Sequence, residues 1–331
     1  MICFDPCFIR VYPWLISLFV PIFGGIRILS HRHKAAIAVF SLLLVSSFAQ
    51  QTRAQMSEAS ALAADLPNQY RIWPDITYLT ANNYNSKLDL YIHNDLTAPA
   101  PTLIYIHGGG WIFGTKETSV LMLLPYMEMG WNIVNVEYRM ASVSLAPAAV
   151  EDCRCALQWV IRNAKQFNID TSKLVVTGHS AGGHLSLTTG MMPASAGLDR
   201  QCYGPEDLKV AAIVNWYGIS DVNDLLDGPN LKNYAVMWLG SQTNRDEIAK
   251  RVSPLTYVRA GLPPIITIHG DADSVVPYSQ SVRLHKALDN VGVTNKLVTI
   301  KGGGHGNFER TDTVNAYAAI KEFLKEQGIG K

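Results

Sequence analysis

From residue 102 onward, short apolar runs return at intervals that each leave room for a helix, and this rhythm constrains the fold more than any other feature. The runs are TLIYI (102–106), NIVNV (132–136), LVVT (174–177), VAAIVNW (210–216), PIITI (264–268) and KLVTI (296–300). Nearly continuous apolar strands of this kind are covered on both faces, which is the condition of a parallel sheet sandwiched by helices. Two earlier runs, DITYL (75–79) and LDLYI (88–92), lie close together as a hairpin would. The expected fold is therefore α/β, with a mostly parallel sheet of eight strands.

Helical signals fill the gaps. Pro147 suits a first turn, and Ala149, Cys153, Ala156, Val160 and Ala164 then make one small or apolar stripe. Residues 278–290 and 313–327 read as further helices. Residues 218–254 interrupt the rhythm and read as a small helical insertion above the sheet.

The start of the chain stands apart. His31, Arg32, His33 and Lys34 precede the uncharged run AAIAVFSLLLVSSFA (35–49), the order of a signal peptide. The run is shorter than the roughly 20 residues that span a bilayer. An upstream apolar run, broken by Pro13, Pro21, Gly24 and Gly25, fits a start codon placed too early. Residues 1–54 are thus expected to be a leader and 55–331 a single domain, secreted or periplasmic. Lys and Arg (28) nearly balance Asp and Glu (27), and no dense basic run follows residue 60, so a nucleic-acid partner is excluded. Cys3 and Cys7 fall in the leader, leaving Cys153, Cys155 and Cys202 for at most one disulfide. Cys153 and Cys155 lie two apart on a helix and face different ways, and the simplest expectation is of small buried residues.

Chemistry enters where LVVT runs into Gly178-His179-Ser180-Ala181-Gly182 and a helix follows. Strand, G-x-S-x-G and helix together describe a sharp turn that exposes a serine hydroxyl. After the strand at 102–106, His107-Gly108-Gly109-Gly110-Trp111 offers backbone N–H groups to a developing negative charge, and no Gly-Lys-Ser/Thr follows as a phosphate loop would require. The strand at 264–268 leads to HGDADSVVP, where spacing leaves Asp271 and Asp273 open as the acid. The strand at 296–300 leads to KGGGHGNF, where His305 is free to approach the serine. Ser, Asp and His in this order, each after its own strand, suit nucleophilic catalysis. His179 and His184 are read as packing locally, His107 as ordering the glycine loop, and His269 as ending a strand. No metal-binding cluster is recognised.

The combination HGGGW, VNVEYRMA, GHSAGGHL, NWYGISDV, HGDADSVVP and GGGHG resembles the α/β-hydrolase esterases related to hormone-sensitive lipase, closest to the feruloyl and acetyl xylan esterase branch, over about residues 70–328. The resemblance implies Ser180 as nucleophile, Asp273 rather than Asp271 as acid, His305 as base, an oxyanion hole from Gly109, Gly110 and Ala181, and no cofactor. His179 departs from the G-D-S-A-G of the lipase relatives, leaning toward the polysaccharide esterases and formamidases. The substrate implied is a small or polysaccharide-linked ester with a short acyl group, with Trp111, Trp216 and Tyr217 lining an acyl pocket or stacking on a sugar or phenolic ring. An amidase, formamidase or peptidase would use the same triad. A binding protein on this scaffold would be expected to have lost it.

Overall fold

A computed structural model describes residues 58–94, 98–202, 204 and 208–330. The expected leader, with Cys3 and Cys7, lies outside the described residues. The compact unit carrying the sheet runs from Leu62 to Lys331.

Helix α1 (Glu58–Gln69) leads into β1 (Tyr70–Ala81), β2 (Tyr84–His93) and β3 (Ala100–Ile106). Helix α2 (Leu124–Glu128), β4 (Asn132–Val136), α3 (Ala148–Asn163), β5 (Ile169–His179), α4 (Ala181–Met191) and β6 (Ala212–Trp216) follow. The chain continues through α5 (Asn233–Leu239), α6 (Arg245–Val252), β7 (Ile265–Gly270), α7 (Ser279–Asn290), β8 (Asn295–Ile300) and α8 (Arg310–Glu326). The eight strands form one sheet in the order β1-β2-β4-β3-β5-β6-β7-β8. β1 and β2 pair antiparallel, β2 and β4 likewise, and every later pairing is parallel.

Alternation along the strands builds two cores, because successive side chains leave opposite faces. Ile104, Ile106, Val134, Val136 and Val176 join α3, α4 and α7 on one face. Leu103, Tyr105, Ile133, Val175 and Ile266 join α8 and the residues around α2 on the other. All parallel strands therefore end on the same edge, where the loops that carry chemistry collect.

Two strands outrun their apolar signals. β1 pairs with β2 from Tyr70 to Ala81, with register shifts at Trp73/Ile76 and Thr77/Leu79. As the sheet's edge it tolerates Arg71 and Thr80 on its exposed positions, which hides it from hydrophobicity. β5 begins at Ile169, where it pairs with Ala100, and runs on to His179.

The cysteines divide. Cys153 is buried and free, as expected of a small core residue, whereas Cys155 is disulfide-bonded to Cys202 with Cα atoms 5.3 Å apart. The expectation of small buried residues is thus corrected for that pair. Two positions on an α-helix lie about 200° apart, so Cys153 points to the sheet while Cys155 reaches the segment after α4. The insertion contains α5, α6 and short 3₁₀ turns.

Candidate active site

The elbow is held by close backbone approach. A side chain at Gly178 would place Cβ 2.3 Å from the Ile106 carbonyl oxygen, and one at Gly182 would place it 2.1 Å from the same atom. Only glycine lets the turn lie so tightly on β3. Ser180 is driven to φ 57°, ψ −118°, a conformation that non-glycine residues rarely occupy. The Ser180 N–H donates to the Trp216 carbonyl (2.9 Å) and its own carbonyl accepts from His184 N–H (3.0 Å), so the strained residue is tied on both sides. The side chain is left at the mouth of α4, next to Ala181, whose amide is one of the unpaired N–H groups at the start of that helix.

The glycine loop sits against it. A Cβ at Gly108 would lie 3.7 Å from Ser180 Cβ. Gly109 (φ 113°) and Gly110 (φ 59°) turn the chain through positive φ, and at Gly109 a Cβ would fall 1.8 Å from the Phe113 carbonyl oxygen. Among the described residues neither amide donates to a protein acceptor. His107 Nδ1 donates to Gly108 O (2.7 Å) and the Tyr138 hydroxyl donates to His107 O (3.1 Å), which orders the loop as expected. Burial lowers the His107 pKa to about 4, so the ring is neutral.

The two remaining loops meet each other. His305 Nδ1 lies 2.7 Å from Asp273 Oδ2. Asp273 Oδ1 accepts from the Val275 and Val276 N–H groups (2.7 and 2.9 Å). Burial by itself would raise the Asp273 pKa, but hydrogen bonds from His269 and His305 outweigh it and hold the carboxyl well below the usual range. Asp271 points elsewhere, its Oδ1 accepting from Gly302 N–H (2.6 Å) in the turn after β8. A fixed carboxylate on one imidazole nitrogen leaves the other free to take a proton, which is the geometry general-base chemistry needs.

Of the three aromatic residues expected to line the site, two are packed away from it, which corrects that expectation. Trp111 is wholly buried. Its φ of 62° turns the indole inward, where it stacks on Trp238 (4.1 Å) and donates Nε1–H to His184 Nδ1 (3.2 Å). Trp216, 3% exposed, stacks under His179 (5.0 Å). Tyr217, 8% exposed, stays near the site. It packs edge-on against the His305 ring (4.6 Å) and so touches the loop after β8. His184 and His179 pack locally, as expected, His179 Nδ1 pairing with the Tyr105 hydroxyl (2.9 Å).

Other neighbours were not legible beforehand. Tyr234 of α5 lies against Gly110, with Cβ 3.0 Å from where a Gly110 Cβ would stand, and its hydroxyl donates to Val275 O (3.1 Å). Lys232 Nζ donates to Ser274 O (2.8 Å). The insertion thus bridges the glycine loop and the acid loop. Phe113 is 66% exposed with Cδ2 3.2 Å from the Gly109 Cβ position. Its position three residues past the glycine run was the one available signal. Among the described residues no group of His, Cys, Asp and Glu is arranged to hold a metal ion.

A parallel sheet with a strained Ser elbow, a glycine cradle and an Asp-held His on neighbouring loops defines an α/β-hydrolase. The BD-FAE family model matches residues 88–288, more than half of the chain, and the chain belongs to that family. Solved structures agree with the fold. A truncated carbohydrate esterase from gut microbiota superposes with a TM-score of 0.68 at 28% identity, covering 78% of this chain and 97% of that one. The esterase Est2 of Thermogutta terrifontis, solved with propionate bound, gives 0.64 at 27% identity over 79% and 96%. Esterase LipC of Mycobacterium tuberculosis is 29% identical over 66% of this chain, which spans 56% of the length of LipC. The chain is therefore related to carbohydrate-type and bacterial esterases.

Proposed function

We propose that the protein is a secreted or periplasmic serine carboxylesterase that hydrolyses short-chain acyl esters, including acetyl or feruloyl groups on polysaccharide. Ser180 attacks the ester carbonyl as His305 takes its proton. Gly109, Gly110 and Ala181 N–H groups receive the oxyanion, and Asp273 fixes the imidazole and stabilises its charged form. Collapse of the tetrahedral intermediate passes the proton from His305 to the leaving alcohol. Water, activated by the same histidine, then releases the acid.

The observation that carries this reading is the 2.7 Å His305–Asp273 pair on loops at the same edge of the sheet as a Ser180 held in positive φ. Short acyl groups are favoured by Tyr234, whose side chain lies 3.0 Å from the Gly110 Cβ position and leaves little room beside the glycine loop. They are favoured also by likeness to Est2, solved with propionate and with butyrate, and to an ethyl acetate hydrolase of Pseudomonas putida. The carbohydrate-ester assignment is supported by the family match and the gut-microbiota esterase. Export is supported by the Cys155–Cys202 disulfide, a bond suited to an oxidising compartment. The test is a chromogenic ester panel from acetyl to long-chain acyl, with acetylated and feruloylated xylan alongside. Turnover confined to acetyl through butyryl esters is expected, and a preference for long-chain emulsions would overturn the assignment.

A further inference from the structure

His269 ends a strand as expected from sequence, yet its ring also abuts the Asp273 carboxylate. Its Nε2 lies 3.2 Å from Asp273 Oδ2, the same oxygen that holds His305 Nδ1 at 2.7 Å. Both His269 and the Asp273 side chain are fully buried. Nε2 also lies 3.1 Å from Val276 O. Its two neighbours can only accept, so Nε2 carries the proton in either charge state of the ring. Nδ1 lies 2.7 Å from Ser281 Oγ, itself 1% exposed. In neutral His269 the Ser281 hydroxyl donates to Nδ1 and Nε2–H donates to the Val276 carbonyl, which holds that N–H beside Asp273 Oδ2.

We propose that His269, oriented by Ser281, is a positioning residue that sets how strongly Asp273 holds His305. The inference rests on the triad reading above. Asp273 Oδ1 is already committed to the Val275 and Val276 amides, so Oδ2 is the oxygen through which the acid acts on the base. The positive end of the His269 N–H dipole beside Oδ2 stabilises its charge and so weakens its hold on His305. Without it the carboxylate is more basic, binds the imidazolium more tightly and makes His305 slower to give its proton to the leaving alcohol. Because His269 lies near the end of β7 and Ser281 on α7, the carboxylate is referenced to the sheet and a helix as well as to its own loop. The other titratable groups facing this network are aromatic. The Tyr217 ring faces His305 (4.6 Å) and His269 (6.3 Å), the Tyr278 ring faces His269 (5.5 Å), Tyr234 and Tyr217 act on Asp273, and His179 lies within electrostatic range of His305.

The test compares His269→Leu, His269→Gln and Ser281→Ala with the full-length protein, using a short chromogenic ester across pH and a fluorophosphonate probe, with Ser180→Ala as blank. All folded variants are expected to label at Ser180. His269→Leu should lose about ten- to a hundredfold in kcat with KM nearly unchanged. The acid limb of its pH–rate profile should move upward by about half a unit to one unit. His269→Gln, which keeps a side-chain N–H toward Oδ2, should regain most of the rate and the original limb. Ser281→Ala should shift the limb in the same direction by less. Loss of rate with an unmoved limb and no rescue by glutamine would reduce His269 to a packing residue, as would an unchanged kcat. If His269→Leu does not fold, an unmoved limb in Ser281→Ala overturns the proposal. Failure of the wild-type protein to label at Ser180 would instead sink the triad reading itself.

Discussion

At the scale of single residues, the two aspartates that spacing could not separate are separated by what they touch. Asp273 reaches His305, whereas Asp271 is spent on the Gly302 N–H. Asp273→Asn should therefore abolish most ester hydrolysis while Asp271→Asn keeps it, measured as kcat/KM on one short ester, and the reverse pattern would exchange their roles. Ser180→Ala and His305→Ala should each cost several orders of magnitude, with the double variant little worse than either, because triad members act as a unit. Additive losses in that double variant would count against the triad. The turns that carry Ser180 and His305 were legible because each follows an apolar strand run and is marked by glycines. His269 was not, because its role depends on an oxygen four residues away that only the bend after β7 brings back to it.

At the scale of elements, the insertion acts as a brace. α5 packs Tyr234 on the glycine loop while Tyr234 and Lys232 bond carbonyls of the acid loop, so two loops from distant strands share one support. Tyr234→Ala removes the ring from above Gly110 and should raise the rate on hexanoyl relative to acetyl esters; an unchanged chain-length profile would show that Tyr234 does not bound the acyl site. The Cys155–Cys202 bond braces the other end of α4. It closes a loop of 47 residues, and Arg154 beside it donates to Met192 O just past α4 and pairs with Asp199. Chain-entropy reasoning puts the bond's worth at about 4 kcal/mol, an upper figure before strain. Cys155→Ala with Cys202→Ala should lower the denaturant midpoint accordingly while leaving kcat near wild type. Equal midpoints would mean that the loop is ordered by its other contacts alone.

At the scale of the whole molecule, buried histidines set the response to acid. Burial lowers the pKa of His107 and of His184 to about 4, with both rings neutral at pH 7. Unfolded, each returns to about 6.5. As pH falls from about 6.5 toward 4 the unfolded chain takes up protons that the folded chain refuses, so stability present above that window is progressively lost within it. The cost is on the order of 3 kcal/mol per ring. Asp273 acts in the same direction at lower pH: its carboxyl, held below the usual range, contributes stability that is present above the ordinary carboxylate pKa and is lost progressively as pH falls toward its folded value. Denaturant titrations at pH 7, 5.5 and 4.5 should show a steady fall in unfolding free energy, and His184→Gln should flatten it; a flat wild-type series would contradict the neutral buried rings.

What the chain determined by itself was order and periodicity: which runs become strands, where helices return, and that a serine, an aspartate and a histidine each follow a strand on one edge of a parallel sheet. These are local properties, written in spacings of two to four residues and in glycines that permit tight turns. Tertiary structure alone decided where side chains point. Positive φ turns Trp111 into the core, α3 directs Cys155 rather than Cys153 toward Cys202, and the sheet sets Trp216 beneath His179. Each of these depends on a partner remote in sequence or on burial against several elements at once. The free energy of such contacts exists only once the fold has brought them together.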